Sequence, residues 1–70
     1  VTHPGSPQVR LVNEIALQFA HQPPDTAAEA IAGHLRKFWD PRMRADLMHR
    51  AEVEAEELAP LALAAVRLLR

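Results

Sequence analysis

The sequence predicts an all-α fold, a small bundle of three to four short helices. Apolar residues recur at i, i+3, i+4 and i+7 through most of the chain. Proline twice follows a cap-forming residue, at Ser6-Pro7 and Asp40-Pro41, and no stretch alternates apolar with polar residues as a half-buried strand would. Seventy residues make one domain. A chain of this size buries only about 60% of the surface its unfolded form exposes, so its stability is thin unless something supplements the core.

Residues 1–6 contain Pro4 and Gly5 ahead of Pro7 and carry no charged or apolar signal region, so they are expected to be a disordered leader or a cloning remnant. Residues 7–70 are expected to form the single helical domain. Its first helix should open with Ser6 as N-cap and Pro7 at the first helical position, where the missing N–H costs nothing and the fixed φ is already helical. Val12, Ile15, Ala16, Phe19 and Ala20 form its buried stripe, and His21-Gln22-Pro23-Pro24 ends it.

The second helix is expected to open at Thr26, whose spacing to Glu29 matches a capping box, with Asp25 as the alternative cap. Ala28, Ile31, Leu35 and Phe38 make its apolar stripe, and Trp39 lies about 40° beyond Leu35 on the helical wheel, at the shoulder of that stripe. Asp40-Pro41 then caps and starts a third helix with a sharp change of direction. Met43, Leu47 and Ala51 share one face of it, and Arg42 with Asp46 and Asp46 with Arg50 have the i, i+4 spacing of weak surface pairs. An indole–guanidinium stack between Trp39 and Arg44 would replace the usual hydrophobic staple.

Strong helix formers fill Ala51 to Ala59, so helix is expected to run on to a break or kink near Ala59, which Pro60 disfavours in the α region. Beyond it, Leu58, Leu61, Ala62, Ala65, Leu68 and Leu69, widened by Leu63 and Val66, give a broad apolar face. That face serves either deep burial in the chain's own bundle or an interface, including a homo-oligomer when the chain is isolated.

Catalytic chemistry finds little footing. The chain has no cysteine, which removes disulfides and thiolate metal sites and fits a reducing cytoplasm. His3, His21, His34 and His49 lack metal-ligand spacing, and the hydroxyls are Thr2, Ser6 and Thr26, the last two placed to cap helices. Gly5 and Gly33 make no phosphate loop, although Gly33, facing away from the apolar stripe, would permit close approach by another backbone. The longest apolar run, near Leu61 to Leu69, contains Arg67 and is far shorter than the roughly 20 residues of a membrane span. A net charge of −1 argues against general affinity for nucleic acid.

The densest chemistry lies in Leu35-Arg36-Lys37-Phe38-Trp39-Asp40-Pro41-Arg42-Met43-Arg44, which holds two of the three aromatics and four of the eight Lys and Arg residues. Trp and Arg supply apolar area, stacking and forked hydrogen bonds, the chemistry enriched at the centres of protein interfaces. A Phe-Trp pair at a helix end serves equally well as a plug for the chain's own core. His34, Arg36, Lys37, Trp39, Asp40, Arg42, Met43 and Arg44 are the candidate partner-binding residues. In the alternative reading, a small helical nucleic-acid-binding regulator, Asp40-Pro41 turns a helix-turn-helix and Arg42, Arg44 and Arg50 touch phosphates.

The segment His34-Leu-Arg-Lys-Phe-Trp-Asp-Pro-Arg-Met-Arg44, with Arg10-Leu-Val-Asn-Glu-Ile15 and Phe19-Ala-His-Gln-Pro23 before it, closely resembles the delta subunit of bacterial NAD-dependent, molybdenum-containing formate dehydrogenases. The likeness runs from about Val9 to Leu69 and departs from the family pattern in the acidic stretch Ala51 to Glu57, where relatives are expected to be more glycine-rich. In that family the alpha subunit carries molybdopterin guanine dinucleotide and iron-sulfur clusters, and other subunits pass electrons to flavin and NAD. The resemblance implies a non-catalytic cytoplasmic accessory chain that holds no cofactor itself and docks on the alpha subunit, supporting assembly, cofactor maturation or stability.

Overall fold

A computed structural model describes residues 7–69 and shows four α-helices: α1 (Pro7–Gln18), α2 (Pro24–Phe38), α3 (Pro41–Val53) and α4 (Pro60–Leu69), with one 3-10 turn, Ala55–Glu57, between α3 and α4. No strand occurs among the described residues. Each of these α-helices begins on a proline, whose fixed φ suits the first turn and whose missing N–H would find no partner there. The leader and the Ser6 cap lie outside the described residues.

The helix ends depart from expectation in three places. The first helix stops at Gln18, short of the prolines, and its last carbonyls are closed by tighter i→i+3 bonds, Phe19 N–H to Ala16 (3.2 Å) and Ala20 N–H to Leu17 (3.3 Å). The second begins at Pro24, with Pro23 as an N-cap that makes no side-chain bond, so Thr26 and Asp25 are inside the first turn and neither caps it. The carbonyl of Pro23 accepts from Ala27 N–H at 2.8 Å, and Asp25 is left to favour the positive end of the helix. The third ends at Val53, because Glu54 (φ −134°, ψ 44°) leaves the helical region, so the break spans Glu54 to Ala59 rather than falling near Ala59 alone.

Packing is most extensive between α2 and α4. Alanines are buried on both, Ala27, Ala28 and Ala32 on α2 and Ala62 and Ala65 on α4, and such small side chains let helix axes approach closely. Around this seam Val9, Val12 and Ala16 of α1, Ile31 and Leu35 of α2, Leu47 of α3, and Trp39, Leu58 and Val66 complete the core. Of the apolar face expected here, Leu58, Ala62, Ala65 and Val66 are buried and Leu61, Leu63 and Leu69 pack half-buried against the core, while Leu68 stays 43% exposed.

The irregular connection from α3 to α4 is held from across the molecule. Asn13, in the middle of α1, donates through Nδ2 to the Glu57 carbonyl (2.9 Å) and accepts at Oδ1 from the Ala59 N–H (2.8 Å). One amide side chain therefore satisfies a carbonyl and an N–H that no helix ladder reaches. At the C-terminal end of α3, where this connection begins, Arg50 bonds Glu54 (2.8 Å) and lies 3.7 Å from Asp46, which realises the expected Asp46–Arg50 pair. The Glu54 hydrogen bond, with the nearby Asp46 charge, raises the Arg50 guanidinium above its ordinary range, so it stays charged at any physiological pH. The expected Arg42–Asp46 pair is absent among the described residues.

Candidate functional site

The corner between α2 and α3 is set by local rules. Asp40 precedes a proline and so avoids the α region, and its backbone is extended (φ −76°, ψ 167°). Its Oδ1 accepts from the Met43 N–H at 2.9 Å, as expected of a cap. Asp40→Ala should cost about 1 kcal/mol, visible as a lower urea midpoint with native helicity retained.

Trp39 is extended as well (φ −94°, ψ 137°), and its N–H closes α2 on the Leu35 carbonyl at 3.0 Å. This turn in the backbone moves the indole off the helical wheel and into the bundle, where Trp39 is 7% exposed and belongs to the core. Phe38, expected in the buried stripe, is 66% exposed. The two aromatics have exchanged the places that a continuous helix would give them. Two bulky rings in succession at a helix end cannot both face one core, and the Asp-Pro start that follows was the signal that the second would leave the helix.

Arg44 makes no stack with the indole among the described contacts. Its Nη1 instead donates to the carbonyls of Trp39 (2.7 Å) and Arg36 (3.1 Å), closing the end of α2. Arg36 reaches through Nη2 to the Leu68 carbonyl at the end of α4. Met43 is half-buried against the core. Of the eight candidate residues, Trp39, Asp40, Met43, Arg36 and Arg44 thus build the corner.

His34, Lys37 and Arg42 face outward from it. The His34 ring centroid lies 4.8 Å from that of Phe38, tilted by 44°, and Lys37 Nζ stands 5.5 Å from the Phe38 centroid. These are respectively a tilted aromatic pair and a cation–π contact. Arg42 is exposed in the first turn of α3, which carries no acidic residue. The nucleic-acid reading loses two of its three phosphate contacts to internal partners, since Arg44 holds carbonyls and Arg50 holds Glu54.

Two depressions lie elsewhere among the described residues. A depression of about 210 Å³ is lined by Ala51, Ala55, Leu63, Val66 and Arg67, and one of about 280 Å³ by Asp25, Ala28, Glu29, Ala64 and Leu68. Neither brings a hydroxyl, thiol or imidazole together with a second catalytic group. Among the described residues no three His, Cys, Asp or Glu side chains are placed to hold a metal ion, and no helix is long and apolar enough to cross a membrane.

The fold and its corner define a small all-helical domain that carries a preformed cationic, aromatic surface. A family model for the NADH-dependent formate dehydrogenase delta subunit, FdsD, matches residues 8–66, from the start of α1 through most of α4 and across the whole corner. The chain belongs to that family. No curated protein and no solved structure matches it.

Proposed function

We propose that this chain is a non-catalytic accessory subunit of an NAD-dependent formate dehydrogenase that docks on the alpha subunit and supports assembly, cofactor maturation or stability of the complex in the cytoplasm. Its family membership over residues 8–66 carries this reading, and the capped, hydrogen-bonded corner supplies the means. Oxidation of formate to carbon dioxide falls to the other subunits, which hold molybdopterin guanine dinucleotide, iron-sulfur clusters and flavin. The exposed cations Lys37 and Arg42 then contribute attraction and orientation rather than chemistry.

The test is recovery of the alpha subunit on tagged chain, wild type against the Lys37→Glu, Arg42→Glu double variant, with molybdenum quantified in the enzyme recovered. Wild-type chain should retain the alpha subunit, and the double variant should lose most of it at physiological salt. Enzyme assembled without the chain should hold less molybdenum if the role is maturation, and a full complement with faster loss of activity if the role is stabilising. Failure of wild-type chain to retain the alpha subunit would overturn the docking reading.

A further inference from the structure

Phe38 is the largest apolar group at the corner that the fold leaves in solvent. It is two-thirds exposed, although the residues on both sides of it are fixed: α2 ends in the Arg44 clamp and α3 begins on the Asp40 cap. An aromatic held in the open on a rigid support loses little conformational entropy when covered, which is the property of a binding anchor.

Charge around it indicates what would cover it. Lys37 is the cation beside the ring, and the His34 ring packs against it. Across the corner, exposed Arg42 sits in the first turn of α3, where the Asp40 carboxylate is spent on the Met43 N–H and no described ion pair engages Arg42. A cation at that end of a helix meets the positive pole of the helix dipole and is disfavoured. An incoming carboxylate would relieve this, whereas the corner-building arginines, Arg36 and Arg44, are already engaged with carbonyls. Gly33, one turn before Lys37 and exposed on α2, has nothing within 4 Å of where a Cβ would stand, so a partner's backbone can come close beside Lys37.

We infer that Phe38 inserts into an apolar pocket on the partner subunit whose rim carries carboxylates facing Lys37 and Arg42. This rests on the docking reading above and assigns it a surface and a partner chemistry. The acid-bordered depression at Asp25, Ala28, Glu29 and Leu68 of a second copy offers related chemistry, but it is open and shallow. It makes self-association the competing outcome.

The experiment pairs affinity with contact. Full-length chain is titrated against formate dehydrogenase complex prepared without it, as wild type, Phe38→Ala and Arg42→Glu, and a photoreactive phenylalanine analogue at position 38 is cross-linked in the assembled complex. Phe38→Ala and Arg42→Glu should each weaken binding at least about tenfold, with native helicity, and position 38 should cross-link to the alpha subunit at an acidic, apolar segment. Wild-type affinity in Phe38→Ala, or no cross-link from position 38 in a complex that has formed, overturns the surface and leaves docking intact. A cross-link to another subunit keeps the surface and overturns the choice of alpha. No binding to any subunit, with self-association that Phe38→Ala abolishes, overturns both the docking reading and the assigned partner.

Discussion

Trp39→Ala is expected to destabilise the domain by about 3–5 kcal/mol, the range for deleting a large buried aromatic. The indole is 7% exposed and sits in the same core as Val12, Ile31, Leu35 and Leu47. A domain of this size has only about 4–10 kcal/mol of total stability to lose, so the variant should be largely unfolded in mild urea or on modest warming. Urea titration followed by far-UV circular dichroism reads this directly. A wild-type midpoint in Trp39→Ala would refute its place in the core. Phe38→Ala, one residue away, should leave the midpoint nearly unchanged, because that ring is already mostly in water. The pair separates folding from docking in a segment where both aromatics were candidates for either role.

Asn13→Ala should cost about 2 kcal/mol, since it removes both hydrogen bonds at once and leaves their backbone partners unsatisfied. Asn13 is the amide that joins α1 to the Glu57 carbonyl and the Ala59 N–H, at the segment that has left one helix and not yet begun the next. Water replaces part of what is lost, because the site is only half-buried. Two readouts distinguish this from general weakening of a helix: the urea midpoint should fall, and exchange of the Ala59 amide hydrogen should accelerate more than exchange in α2. Equal acceleration everywhere would mean that Asn13 contributes to global stability alone and holds no particular segment.

The candidate site was partly legible in the sequence. The residue cluster from His34 to Arg44 drew attention through its composition, and the Asp40 cap followed from the rule for the residue before a proline. What each side chain does there was not legible. Arg36 and Arg44 read as interface cations from the sequence, yet they spend their guanidinium groups on the carbonyl ends of α4 and α2. Lys37 and Arg42 carry the same charge, and their side chains make no described hydrogen bond to a carbonyl. Nothing in residue type distinguishes these pairs; the distance to an unpaired carbonyl does.

By itself the sequence determined the all-α class, the helix starts at Pro7 and Pro41, the sharp corner and the family, because proline geometry, capping and hydrophobic period act over a few residues. Only the tertiary structure decided that Trp39 is buried and Phe38 exposed, that Asn13 holds a connection 44 residues away, and that α3 stops at Val53. A helical wheel extrapolates one backbone conformation past the point where it ends. Which ring enters the core depends instead on the extended backbone at Trp39 and on the core that residues from both ends of the chain assemble.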